Sequence, residues 1–271
     1  MSRARFFTGT TAVVTGAGSG IGRELTLQLL AQQGRVLAVD IDQARLQQLK
    51  SEAGSTELCC FAADLSCQDA IDGLFEQIER AKEGCDFFSA NAGFARHGID
   101  LDLHWDDLED LFRLNVFSPL YCLTRLEQQV RLESSTFRRR PTFVVTASAM
   151  SRIPMPGYGV YGATKAAVDN FYAAVDWETD RRVRLAIAYP ITTRTDFFRA
   201  ASIERMPWPS HTAKSVANSM LRGLRRGRRH LYPSLTVRVM LALSRLCPPI
   251  ATLLQYVEQR QRQPKSQNAV L

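Results

Sequence analysis

At 271 residues with 45% hydrophobic side chains, the chain carries ample core for one globular domain, or for one domain with an appendage. Six cysteines without a CxxC pair and four scattered histidines argue against a metal centre and a disulfide scaffold, and the thiols read as reduced core groups of a cytosolic protein. The formal net charge of +7 gathers in Arg138–Arg140 and between Arg222 and Arg229. It reads as solvated helix ends, or as attraction to anionic lipid or phosphate-bearing substrates. Nucleic acid is disfavoured, because these arginines lack interleaved aromatics for base stacking.

The chain opens with Arg3, Arg5, Phe6 and Phe7, and the apolar run breaks at Thr8–Thr11, against a cleaved signal. No stretch reaches the roughly 18 apolar residues of a spanning helix, and no internal repeat is apparent. Thr11 to Thr15 (TAVVT) reads as a buried strand that runs directly into GAGSGIG. A helical pattern then follows from Ile21 through Leu25, Leu29 and Leu30. Gly16, Gly20 and Gly22 thus occupy a strand–turn–helix joint, with Ser19 and Ile21 beside them. Glycine tolerates positive φ there and lets a pyrophosphate approach the helix amino terminus and its dipole. A second strand, Arg35 to Asp40, ends in an acid about twenty residues past the glycines, placed to accept hydrogen bonds from ribose hydroxyls. That carboxylate would repel a 2′-phosphate, Ser19 puts no base in the loop and Ile41 none after the acid. NAD is therefore favoured, with NADP as the alternative cofactor. Asp40 can equally cap the following helix.

Strands are expected at Glu57–Ala63, ending by Asp64 and Leu65, and at Asp86–Ala90, running into Asn91-Ala92-Gly93. Amphipathic segments near Gln43–Ala53 and Gln68–Lys82 separate them. Alternating βα units with short joints predict an α/β fold, a doubly wound parallel sheet covered on both faces. Asp102 to Glu133 supplies a long helical region interrupted near Pro119, with Asn115 buried in LFRLNVF. Such an Asn is either satisfied by backbone in the core or holds a water beside reacting groups.

From Thr142 the chain reads TFVVTASAMSRIPMPGYGVYGATK, a strand, a turn and then a helix expected to begin near Tyr158. Tyr161 and Lys165 fall four apart on one helix face. An adjacent ammonium favours the phenolate, which makes a proton donor and acceptor usable in interconverting an alcohol and a ketone. Ser148, at the strand tip, can donate to the developing oxyanion. The plainer reading is an ordinary helix with a half-buried Tyr and a solvated Lys. Against it, Lys stands here in a chain where Arg heavily outnumbers it, and a compact ammonium suits a phenol and sugar hydroxyls.

Together TGAGSGIG, Asp40, Asp64, Asn91-Ala92-Gly93, Asn115, Ser148 and Tyr161-Gly-Ala-Thr-Lys165 resemble the short-chain dehydrogenase/reductase superfamily over roughly residues 8 to 230. The resemblance implies a Rossmann-type sheet of about seven strands. It implies a tetrad of Asn115, Ser148, Tyr161 and Lys165. In it Tyr161 is acid and base, Ser148 polarises the carbonyl, Lys165 holds the nicotinamide ribose, and Asn115 anchors a water of a proton relay. Asp64 and Leu65 would lie against the adenine, and Asn91 to Gly93, Pro190, Thr193 and Thr195 would support the cofactor. A homodimer or homotetramer is implied as well.

Two departures follow. The family's usual Pro-Gly after the sixth strand (Arg184 to Tyr189) is here Pro190-Ile191, so this loop is expected not to rely on positive φ. A substrate lid is expected over about 191–211, where Phe197, Phe198, Met206 and Trp208 suit an apolar substrate, or pack on the lid itself. Residues 1–232 form the dinucleotide-binding domain in this reading, 233–262 a C-terminal helical extension, and 263–271 a disordered tail. The extension can dock at the substrate mouth, form a subunit contact or lie on a membrane surface. The expected activity is hydride transfer between NAD(H) and an apolar or lipid-like secondary alcohol or ketone. The rivals are a nucleotide-binding scaffold or redox sensor with little turnover, and a peripheral membrane protein acting through its basic tail.

Overall fold

The computed structural model describes residues 6–81, 84–98, 103–132, 137, 139–178, 182–194 and 210–246. Strand β1 (Thr11–Thr15) and helix α1 (Gly20–Leu30) are followed by β2 (Arg35–Asp40), α2 (Gln43–Ala53), β3 (Leu58–Ala62), α3 (Gln68–Arg80) and β4 (Phe87–Ala90). Next come α4 (Trp105–Phe112), a π turn (Arg113–Phe117), α5 (Ser118–Leu132), β5 (Thr142–Thr146), α6 (Gly159–Val175) and β6 (Arg184–Ala188). The short strands β7 (Thr193–Arg194) and β8 (His211–Thr212), then α7 (Ala213–Arg225), β9 (His230–Leu231) and α8 (Leu235–Leu246) complete the described chain.

Seven strands form one parallel sheet in the order β3-β2-β1-β4-β5-β6-β9. The order reverses between β1 and β4, which opens a crevice at the carboxyl ends of those strands. Alternation along each strand sends side chains to two cores. Val13, Phe88, Phe143 and Ile187 face one side, where Phe75 of α3, Leu126 of α5 and Tyr172 of α6 pack. Val14, Phe87, Val144 and Ala186 face the other, against Leu25 and Leu29 of α1 and Met220 of α7.

The interruption expected near Pro119 falls one turn earlier, and proline explains it. In a regular helix the Pro119 ring would strike the carbonyl four residues back, that of Asn115. The chain widens into the π turn instead, and the Ser118 N–H reaches back to the Arg113 carbonyl.

Helix α8 belongs to the main core. Val237 and Leu241 are buried in it, while Leu235, Val239 and Leu243 on the opposite face are exposed. The thiols divide more than expected: Cys85 and Cys122 are buried, and burial pushes both up to about 12, whereas Cys59 and Cys67 are exposed. Exposure of these two corrects the reading of every thiol as a core group; the pleat turns Cys59 to solvent, and Cys67 sits at the amino terminus of α3. Among the described residues no helix is long and apolar enough to cross a membrane.

Candidate active site

The crevice forms a cleft of about 660 Å3 that runs from the α1 amino terminus to the start of α6. At its first end, Gly16 (φ +64°) and Gly20 (φ +53°) make the turn out of β1. A Cβ on Gly22 would strike the Gly16 carbonyl and come within 2.8 Å of Asn91 Nδ2. Ser19 makes no side-chain cap to α1, and the first turn holds no acid. The leading N–H groups of α1 therefore meet the cleft without a side-chain acceptor, an arrangement that fits a pyrophosphate.

Asp40 carries its carboxylate into this end of the cleft. It accepts hydrogen bonds from Gly18 N–H (2.8 Å) and Asp42 N–H (3.0 Å). A carboxylate has about four acceptor positions, so capacity remains for ribose hydroxyls. The capping role considered for Asp40 belongs to Asp42, which accepts from Arg45 N–H. Arg45, five residues after Asp40, pairs with Asp42 at 3.1 Å. Asp64 and Leu65 line the next stretch of wall, where the Asp64 carboxylate accepts from Ser66 N–H.

Thr15 ties the two strands of the switch point together: its hydroxyl accepts from Asn91 N–H (3.0 Å) and Ala92 N–H (2.9 Å). Thr146 donates to Asn91 Oδ1 (3.2 Å). The Asn91-Ala92-Gly93 turn is thereby pinned across β1, β4 and β5. Gly93 is needed for close approach, because a Cβ there would lie 2.7 Å from Asn115 Oδ1 and 3.4 Å from Lys165 Nζ.

Ser148, Tyr161 and Lys165 meet at the far end of the cleft. The Ser148 hydroxyl accepts from Met150 N–H (3.1 Å) and hydrogen-bonds the Tyr161 phenol. Lys165 is 5% exposed and donates to the Thr146 carbonyl at 3.0 Å, with its ammonium 5.8 Å from the Tyr161 ring centre. The half-buried Tyr and solvated Lys of the plainer reading are not found.

The expected low phenol pKa is not found in the protein alone. Burial pushes Tyr161 up to about 12, against the lowering effect of the Ser148 hydrogen bond. Burial also pulls Lys165 down to about 8. One donor of the Lys165 ammonium goes to a backbone carbonyl, and the ammonium sits beside the phenol ring.

Asn115 is placed behind the cleft wall. Its amide donates to the Phe94 carbonyl (2.8 Å) and the Thr164 hydroxyl (3.2 Å), and its Oδ1 accepts from Phe94 N–H (3.1 Å). Backbone thus satisfies most of the side chain, the first of the two readings given for it. Past β6, Pro190 and Thr193 line the cleft, and Thr193 donates to the Ile191 carbonyl (2.9 Å). Among the described residues Gln33 is the lone non-glycine at positive φ, so Ile191 passes without it. Thr193–Arg194 pairs in parallel with His211–Thr212 at the two ends of the stretch expected to form a lid. Thr195, Phe197, Phe198, Met206 and Trp208 lie outside the described residues, as does the chain beyond 246.

Two features were missed in the sequence. Met150, Ile153, Met155, Ile191 and Met240 form an apolar wall beside Tyr161 and Ser148, and Met240 comes from α8. Behind Ser148, the Ser151 hydroxyl lies 2.7 Å from the Ser148 carbonyl and 3.0 Å from Asp169 and shares its one proton between them. Asp169 also receives Arg152 (2.8 Å) and Tyr189 Oη (2.6 Å). Burial would raise the Asp169 carboxyl, but the hydrogen bonds from Arg152 and Tyr189 hold it below its ordinary value.

Residues 10–205 match the family model described as short chain dehydrogenase. A short-chain type dehydrogenase/reductase of Sinorhizobium fredii is 34% identical over 192 residues, 70% of this chain and 72% of that protein. Among solved structures, a short-chain dehydrogenase/reductase from Burkholderia phymatum in complex with NAD superposes with a TM-score of 0.75 at 19% identity, over 97% of this chain and 99% of that one. A short-chain dehydrogenase from Sphingobium yanoikuyae in complex with NADPH gives 0.74 at 22% identity, over 96% and 98%. These two likenesses establish the fold.

The buried lysine makes stability depend on pH. Its folded value, about 8, lies below the ordinary 10.5, so the unfolded chain binds more protons between them and stability rises with pH across that window. Denaturant melts of wild type and Lys165→Met should therefore diverge: the wild type gains up to roughly 3 kcal/mol from pH 8 to 10.5, and the variant lacks that gain. Parallel profiles would show that the ammonium is solvated.

Proposed function

The chain belongs to the short-chain dehydrogenase family, and on that premise we propose that it moves hydride between NAD(H) and a secondary alcohol or ketone with an apolar body. Membership makes it an NAD(P)-dependent oxidoreductase acting on CH–OH and C=O groups of a small molecule. The observation that supports an apolar substrate is that Met150, Ile153, Met155, Ile191 and Met240 line the cleft together with Ser148 and Tyr161, with Met150 and Met155 packed against the Tyr158–Tyr161 cluster. A ketone seated against that wall has two hydroxyls converging on its oxygen and little else polar to satisfy.

Each residue then has a defined task. Ser148, its oxygen held by Met150 N–H, donates to the substrate oxygen and stabilises developing negative charge. Tyr161 gives its proton to that oxygen in reduction and takes it back in oxidation. Lys165 has three donors, of which Thr146 takes one, and the others hold ribose hydroxyls at the cleft. Asn115 keeps the Gly93–Phe94 turn in place below them. The α1 amino terminus would hold the pyrophosphate, Asp40 the adenosine ribose, and Asp64 with Leu65 the adenine side. When bound, the nicotinamide supplies or accepts the hydride.

Asp40 supports NAD over NADP. A second acid, Asp42, stands beside it, and the neighbouring Arg45 is already paired with that acid. Asp40→Ala should narrow or reverse the ratio of kcat/KM values for NAD and NADP, and a wild type faster with NADP would overturn the preference. Tyr161→Phe should abolish turnover of apolar secondary alcohols while NAD(H) affinity, followed by fluorescence titration, stays within about threefold. Retained turnover would remove Tyr161 from the chemistry.

A further inference from the structure

At the opposite edge of the sheet, where the strands begin, lies a second cavity of about 560 Å3 that the chemistry above does not use. Strand length separates it from the catalytic cleft by about 15 Å. Its floor is apolar, made by Phe7, Phe87, Leu185 and Leu224, all of them buried. Its rim is charged: among the described residues it carries the guanidinium groups of Arg139, Arg140, Arg184 and Arg229 and the carboxylates of Asp86 and Asp176.

Those carboxylates are already engaged. Asp86 accepts from Thr11 N–H (3.1 Å) and lies 3.6 Å from Arg139, and Asp176 pairs with Arg229 at 2.6 Å. A guanidinium has five donors, so the contacts of Arg139 with Asp86 and of Arg229 with Asp176 leave donor edges on these two arginines for an oxyanion. Gly227 (φ +71°) makes room for Arg184, since a Cβ there would sit 3.1 Å from Arg184 Nη2.

We infer that this cavity binds a small amphiphilic anion, a carboxylate or phosphate monoester on a compact apolar body. The headgroup lies among the arginines, and the apolar body lies on the phenylalanine and leucine floor. The volume matches sites that hold small organic ligands.

The test is calorimetric titration of the full chain, saturated with NAD, by hexyl phosphate and by hexanoate, with inorganic phosphate and hexanol as controls. At least one of the two amphiphiles should bind saturably and more tightly than either control, and the tighter one identifies the headgroup. Arg184→Gln and, separately, Arg139→Gln should each weaken that binding about tenfold, the value of one charge-assisted hydrogen bond, without changing turnover. Arg139 is about half exposed, so its variant stays informative if Arg184→Gln fails to fold. The proposal is overturned by no saturable binding of either amphiphile below about 1 mM, by equal affinity for inorganic phosphate, or by binding unchanged in the folded variants. Binding that appears only without NAD would place the anion in the cofactor cleft and overturn it equally.

Discussion

An ammonium held almost out of reach of water, between α6 and the end of β5, is the constraint that the catalytic end of this molecule answers to. Lys165 is 5% exposed, and only the Thr146 carbonyl meets it directly among the hydrogen bonds described. Desolvation disfavours its charge, so the surroundings must keep the space around it narrow and polar on one side. Gly93 does this by having no side chain, and Asn115 by clamping the following residue from below. The π turn belongs to the same arrangement, because Pro119 forbids the regular helix that would carry Asn115 elsewhere.

A second layer holds the hydroxyl side of the site. Ser148 ends a strand and would be free to drift, but Ser151 hooks its carbonyl to Asp169, two turns beyond Tyr161 on α6. Asp169 in turn is fixed by Arg152 and by Tyr189, which stands at the end of the neighbouring strand and stacks on Tyr232. Ser148 and Tyr161 therefore share one rigid frame although they come from different elements. The charge pair in that frame is nearly buried and multiply hydrogen-bonded, the condition under which such a pair fixes geometry.

Local chemistry made much of this legible in the sequence. The TAVVT strand, the glycines after it and Asp40 carry their meaning within a few residues, and so did the Tyr161–Lys165 spacing. What escaped depends on long-range contact. The Arg152–Asp169 pairing joins residues that look like an isolated base and an isolated acid. The chain from residue 233 was expected to be helical, as it is over Leu235–Leu246, but what the buried face of that helix meets is decided by tertiary packing. The π turn differs from an α turn by one residue, too little for hydrophobic periodicity to register. The low phenol pKa was expected from nearby positive charge, whereas burial, which a sequence does not display, dominates in the protein by itself.

That last point defines what the cofactor must add. With burial holding the phenol near 12, the positive charge of an oxidised nicotinamide and the ribose bridge to Lys165 are needed to bring it toward neutrality. The most direct measurement is an ultraviolet difference titration of tyrosinate, wild type minus Tyr161→Phe, with and without saturating NAD+. The account predicts ionisation near 12 in the free protein and a fall of several units when NAD+ is bound. Ionisation at the same pH in both states would contradict it.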